Sequence, residues 1–354
     1  MDDARGAAGP RTGGAERQRP TLEMVAAAAG VSRGTASRAL NGGHNVSRRA
    51  YEAVQGAAAR LGYRPNLAAR SLVLGRSGSV GLLVSESDER LFSDPYFATI
   101  LRGVHAELMA HDVQLVLALA QAAGERDRML RWSAGGHLDG VIIISSHGDD
   151  PLPAAIATEG VPVVIGGAVT DAQRRLDLLA SVDADNLTGA RGAVEHLVGR
   201  GRRVVGHVAG PLDMAVGRDR LAGWREVAAT TPGGAPDSLF VEGDFGEDSG
   251  ADGVRRLLAA HPDLDAVFCA NDLMARGALT ALAEAGRRVP DDVAVVGFDD
   301  LPGPRSARAL TTVHQPVIEM GRLMAGMLLA MVDGRVPDPR HAVVTTSLVV
   351  RTTS

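Results

Sequence analysis

Two periodicities divide the chain. From Thr21 to Leu61 apolar residues return at three- and four-residue steps: Leu22, Val25, Ala26 and Ala29 before Gly30, a second run ending at Leu40, and a third in which Val54 and Leu61 close a small apolar face before Gly62. That spacing predicts three short helices. Thr21, Ser32 and Ser47 stand just ahead of the three runs, where a side-chain oxygen can take a free amide N–H, and Gly30, Asn41-Gly42-Gly43 and Gly62 stand behind them as stops. The first two helices, joined by one tight glycine-containing turn, predict a helix-turn-helix.

From Ser79 onward the rhythm changes. Short apolar runs (VGLLVS, VQLVLAL, GVIIIS, VPVVIGG, VVGHVAG, AVFCAND, VAVVGFDD) alternate with helical stretches near Phe97–Ala110, Glu125–Ala134, Ala154–Glu159, Arg220–Ala229 and Leu273–Ala285. This alternation predicts parallel sheets covered on both faces, and two such half-sandwiches are the simplest division of the length. Between the two regions lies Arg64-Pro65-Asn66 followed by LAARSLVL and Gly75. Asn66 can cap a helix from Leu67 to Leu74, but lone helices under ~12–15 residues are marginal in water, so this one needs a partner to form. Leu72 is an apolar wedge on that segment.

Charge sharpens the division. Residues 17–76 hold ten arginines against Glu23 and Glu52, an excess of eight positive charges; with −5 for the whole chain, the rest carries −13. Such an excess in one small module is the footprint of a polyanion, and double-stranded DNA is the expected partner. All 37 basic residues are arginine, which removes lysine-dependent phosphate loops and Schiff bases. A single cysteine, Cys269, rules out an intrachain disulfide and fits a reducing cytosol, and it reads as inert core in an apolar strand. No run reaches the roughly 20 apolar residues of a spanning helix, and the N-terminus lacks the apolar stretch of an export signal, so a cytoplasmic protein without a membrane partner is expected. Residues 1–19 show no apolar period and read as a disordered arm.

On the second helix Arg33, Gly34, Ser37 and Arg38 stand where base edges are reached, and an arginine paired to guanine carries about 1–3 kcal/mol of discrimination. Ser32, Thr35, Asn41 and Asn45 suit phosphate oxygens, with helix capping an equal reading for Ser32. In the body, ligands of open α/β sheets bind beyond the carboxyl ends of strands. There the chain places Asp94 to Phe97, Asp213 and Arg218, Asn271 and Asp272, and Asp299 and Asp300, with Phe245 as a stacking face. An Arg, an Asn and an Asp converging on a cleft suit a small polyhydroxylated ligand; Asp272 and Asp300 read instead as caps of helices or turns. No GxSxG, Walker loop or HExxH is present, and GDFGEDSG lacks a nearby base, so no enzyme, metal or cofactor is expected.

Taken in order, TLEMVAAAAGVSRGTASRALNG, NVS, LGYRPNLAARSL, GRSGSVGLLV, DPYF, VEHLVGRGRR, RLAGW, FCANDLMARGAL, VAVVGFDDLP and LTTVHQP resemble the LacI/GalR family of bacterial transcription regulators from Thr21 to the end. The resemblance implies a small all-α helix-turn-helix headpiece at 20–63, a hinge helix at 64–76 and a periplasmic-binding-protein-like α/β body at 77–354. The body would comprise a first subdomain of about 77–184 and 316–338 and a second of about 185–315 and 339–354, with three crossings near Asp183–Leu187, Gln315–Val317 and Asp338–Val343. Helix Ile318–Val332 would lie in the first subdomain and the strand VVTTSLVV in the second. Asn66, Ala69 and Leu72 would meet the minor groove, and Arg218, Asn271 and Asp299 would hold effector hydroxyls, with Phe245, Gln315 and Phe97 completing the pocket. Gly166 departs from the acid that sugar-binding relatives often carry, and Asp171 is a candidate to compensate. The implied function is a repressor, bound as a homodimer to a pseudopalindromic operator and controlled by a carbohydrate effector. No apolar heptad tail follows Arg351, which favours a dimer over a tetramer. A solute-binding protein of the same body fold is the alternative.

Overall fold

A computed structural model describes residues 20–40, 46–63, 76–120, 123–301 and 309–354. The chain divides between Gly75 and Arg76 into two units. The arm 1–19, Asn41, Asn45 and the hinge segment with Asn66, Ala69 and Leu72 lie outside the described residues.

In the first unit, α1 (Leu22–Ala29), α2 (Arg33–Leu40) and α3 (Arg48–Leu61) are bounded by the residues whose chemistry selects those positions. Thr21, Ser32 and Ser47 side chains accept from Met24, Thr35 and Ala50 amides at 3.4, 3.1 and 3.3 Å. Gly30 and Gly62 take φ of 67° and 63° at the C-caps, a conformation that costs glycine nothing. Val25, Ala36, Val54 and Ala57 are fully buried at the centre. Alanine dominates this core, so the helices approach closely but bury little apolar area, which makes the unit marginal in stability.

The second unit holds two six-stranded sheets. In the first lobe β1 (Ser79–Val84), β2 (Gln114–Leu119), β3 (Gly140–Ile144), β4 (Val163–Gly166), β5 (Leu179–Ala184) and β11 (His341–Val344) lie in the order β11-β5-β4-β3-β1-β2, all parallel. In the second lobe β6 (Val205–Ala209), β7 (Phe240–Glu242), β8 (Ala266–Cys269), β9 (Ala294–Asp299), β10 (Thr311–His314) and β12 (Ser347–Val349) lie in the order β12-β10-β9-β8-β6-β7, with β12 antiparallel at the edge. Along β3, Ile142 and Ile144 enter one apolar cluster while Val141 and Ile143 enter another on the opposite face. Both faces of β3 are covered, which is why it reads as an unbroken apolar run.

The chain passes between the lobes after β5, after β10 and after β11. The third passage differs from the sequence expectation. His341–Val344 pairs with β5 in the first sheet, so the passage falls at Thr345–Thr346 rather than at 338–343, and VVTTSLVV is two strands instead of one. Helix Val317–Val332 returns to the first lobe and packs on helix Pro95–Ala110. Gly103 and Gly321 make that crossing possible, because a Cβ at either would collide with the backbone carbonyl of Ile318 or Ile100.

Candidate functional site

Among the described residues, the expected site residues gather on two surfaces. On α2, Ala36 and Ala39 face the core while Arg33, Gly34 and Arg38 are exposed and Thr35 and Ser37 half-buried. Arg38 Nε donates to the Gly34 carbonyl at 3.2 Å, and Arg33 pairs with Glu23 of α1 at 2.9 Å. Both side chains are mostly in water, so neither contact fixes them strongly.

The second surface is a cleft between the lobes of the body, enclosing about 800 Å³ of empty space, part of it open to solvent. Six expected residues line it: Asp94, Phe97, Phe245, Asn271, Asp299 and Gln315. Asp94 caps helix Pro95–Ala110 by accepting the Tyr96 amide at 2.9 Å, and burial holds its carboxyl above the usual range. Phe97 packs edge-on against Tyr96, their centroids 5.5 Å apart. Asn271 takes the Met274 amide on Oδ1 and gives an N–H to the Phe245 carbonyl, both at 2.9 Å, which leaves its second N–H for a ligand. Asp299 accepts from Gln315 Nε2 at 2.5 Å; burial raises its carboxyl well above the ordinary value, against the opposing pull of Arg220.

Arg218 is not part of this cleft. The helix begins at Ala215 rather than leaving Arg218 in a loop, and positions 218 and 220 point to opposite sides of it. Arg218 is exposed, donating to the Leu212 and Asp213 carbonyls at 2.9 and 2.8 Å. Arg220 is the arginine of the cleft: buried, stacked 3.6 Å above the Phe298 ring centroid, bonded to Asn186 Oδ1 at 3.0 Å and to the Ala270 carbonyl, and 3.6 Å from Asp299. Helical periodicity carried from Ala215 would have found it.

Gly166 and Gly167 line the cleft where the resemblance expects an acid. A Cβ at Gly166 would press on Ile144 and Met324, so the position is crowded as well as bare. Asp171 is exposed at the start of a short helix and is not among the residues that line the cleft. Asp183, at the carboxyl end of β5, lines it instead, with burial raising its carboxyl to about 6. Asp272 does not cap its helix, since Asn271 does; it accepts from the Thr312 hydroxyl at 2.5 Å, and burial raises it to about 7. Asp300 is held by Arg351 at 2.5 Å and His314 at 3.2 Å. Tyr96, inside the expected Asp94–Phe97 stretch, also faces the cleft, as do Arg90, Ser145 and Asn186, which carried no signal as site residues.

Backbone strain collects at the same place. Of the non-glycine residues with positive φ among those described, Ser145, Phe245 and Asp299 line the cleft and Asp300 adjoins it. Unusual backbone of this kind persists where the surroundings over-determine it, commonly at ligand clamps. Three carboxyls, two guanidiniums, amides and aromatic faces make a mixed, nearly neutral lining suited to hydroxyl groups and sugar C–H faces.

Residues 21–66 match the model of bacterial regulatory proteins of the lacI family, and residues 194–354 match the periplasmic binding protein-like domain. The chain is 45% identical over 336 residues to the HTH-type transcriptional regulator CelR of Thermobifida fusca, covering 95% of this chain and 98% of that one. It is 33% identical to the ribose operon repressor of Halalkalibacterium halodurans over 94% of this chain and 97% of that one. Among solved structures it resembles a complex of the transcriptional regulator CelR with cellobiose, with TM-score 0.73 and 44% identity over 95% of this chain and 100% of that one. It also resembles a Lac repressor dimer bound to operator and the anti-inducer ONPF, with TM-score 0.82 and 28% identity over 95% and 99%.

Proposed function

The chain belongs to the LacI family of bacterial regulatory proteins, and from that premise we propose that it is a repressor whose grip on DNA is set by a neutral carbohydrate, of disaccharide size, held between the lobes of the body. The family makes it a DNA-binding transcription regulator; the headpiece match over residues 21–66 leaves the solute-binding alternative without support. The observation that carries the carbohydrate reading is the pairing of polar and aromatic groups across one cleft: Arg220, Asn271 and Asp299 on one side, Asp94 and Phe97 on the other. Vicinal hydroxyls both donate and accept, so they satisfy carboxylates and guanidiniums together, while Phe97 and Phe245 cover apolar sugar faces. The CelR–cellobiose complex makes cellobiose the first probe.

Two copies would place α2 in successive major grooves of a pseudopalindrome, Arg33, Gly34, Ser37 and Arg38 reading bases and Ser32, Thr35, Asn41 and Asn45 fixing register. Asn66, Ala69 and Leu72 would enter the minor groove between them, where a leucine wedge opens a base step. Effector binding would reorient the lobes and release that segment; since coupling is reciprocal, operator DNA must weaken the sugar by the same factor.

Fluorescence anisotropy with palindromic fragments from the chain's own locus tests this. Binding at low salt and release by cellobiose or a related disaccharide are expected. Failure on every palindromic fragment would sink the DNA reading, and binding indifferent to a panel of sugars would sink the effector reading. Arg38→Ala should cost about 1–3 kcal/mol of discrimination between operator and random DNA while cellobiose affinity stays put.

A further inference from the structure

We propose that His147 is a positioning residue of the effector site: its ring clasps the two lobes by bridging Glu86 of the first to Asp213 of the second, and the clasp sets both cleft closure and the placement of Arg90. The inference rests on the effector reading above.

His147 leaves the carboxyl end of β3 through Ser145, whose φ is 59°. Its Nε2 lies 3.1 Å from Glu86 Oε1 and its Nδ1 lies 2.9 Å from Asp213 Oδ2. A carboxylate only accepts, and a neutral imidazole has one N–H, so both contacts are satisfied only by the doubly protonated ring. A backbone stitch reinforces the bridge, the Gly148 amide donating to the Asp213 carbonyl at 3.2 Å.

Glu86 is a hub. Its side chain is 8% exposed, and Oε1 also accepts from the Ser145 hydroxyl at 2.5 Å and from Arg90 Nη1 at 2.7 Å. Arg90 lies over two cleft aromatics, 5.9 Å from the Phe97 centroid in the first lobe and 5.0 Å from that of Phe245 in the second. Moving His147 therefore moves Glu86 and, through it, a cleft-lining guanidinium. The charged groups around the ring are Glu86 and Asp213 in contact, Arg90 behind Glu86, and Arg218 behind Asp213 on its carbonyl. The Glu86 hydrogen bond, opposed by burial and aided by Asp213, raises the imidazole above its ordinary 6.5. At 29% exposure the ring still exchanges protons with water.

The sign follows from that rise. Below pH 6.5 the ring is charged whether the lobes are open or closed and the clasp is at full strength. As pH rises through the raised value the clasp loses its proton, and closure weakens.

Calorimetric titration of the full chain with cellobiose from about pH 5.5 to about pH 8.5 tests the clasp. The native affinity should fall roughly tenfold across the series, the size of one lost charge-assisted hydrogen bond. His147→Gln should bind at the weaker level at every pH, and Asp213→Asn should keep only part of the slope. A flat native profile, or a slope that survives in His147→Gln, overturns the proposal. Sugar-free thermal melts separate it from the choice of ligand. The native chain should melt above His147→Gln at low pH with the gap closing as pH rises, and a gap that ignores pH overturns the clasp. The expected melts with no cellobiose binding at any pH would count for the clasp and against the sugar.

Discussion

The two walls of the cleft are built on different principles. On the second lobe the polar groups hold one another: Arg220 is tied to Asn186 and the Ala270 carbonyl, Asn271 to the Phe245 carbonyl and the Met274 amide, Asp299 to Gln315. On the first lobe the cluster of Glu86, Arg90, Ser145 and His147 finds its outward partners, Asp213 and Phe245, across the gap. One wall is a platform whose groups are already placed, which spares a ligand the cost of ordering them. The other is a clamp, and a contact that exists only when the lobes are together is what can convert binding into movement.

Breaking the platform should have the largest effects. Arg220→Met leaves Asp299 buried without its guanidinium; about 3–5 kcal/mol of destabilisation in chemical denaturation is expected, together with loss of cellobiose binding. A stable variant that still binds sugar would mean the wall is not a platform at all. Asp183 stands where β5 leaves the first lobe, and its carboxyl sits at about 6 instead of 3.8. The folded state therefore favours its protonated form, and stability drains away as pH rises from 3.8 through about 6. Asp183→Asn should remove that loss, gaining about 3 kcal/mol at neutral pH and nothing at pH below the unfolded value; a gain equal at both ends would trace to packing. Asn271→Ala should cost about 1–2 kcal/mol through its helix cap and weaken cellobiose at the same time. Loss of the cap with unchanged sugar affinity would make Asn271 scaffold alone. Arg218→Ala is the smallest: stability within about 0.5 kcal/mol and cellobiose affinity within about twofold. A tenfold loss would return Arg218 to the site.

The headpiece was legible because its determinants are local. Thr21, Ser32 and Ser47 accept amides three residues ahead, and Gly30 and Gly62 donate to carbonyls three and four residues behind, so reading them needs no third dimension. The cleft was legible only as far as strands could be recognised. Asn271 and Asp299 follow unbroken apolar runs, whereas β5 is interrupted by Ser181 and Asp183, and so the strand and its terminal acid passed unread. Arg218 and Arg220 are told apart only by where the helix starts, at Ala215, because two residues along a helix reverse the face. The split of VVTTSLVV is set by a partner far away in sequence: the Thr346 hydroxyl donates to the Asp185 carbonyl at 3.2 Å, pinning the turn between lobes beside the first passage. Nothing within the segment signals that contact.

The order in which strands join the sheets has a consequence for synthesis. The first lobe lacks its covering helix Val317–Val332 and edge strand β11, and the second lacks β10 and β12, until the final stretch of chain has left the ribosome. Neither lobe can be finished early, so both are completed in one late event dominated by long-range contacts. A chain stopped after Asp333 would carry two unfinished sheets, each with an open edge for neighbouring chains to pair with, and should be recovered as aggregate rather than as a one-lobed protein.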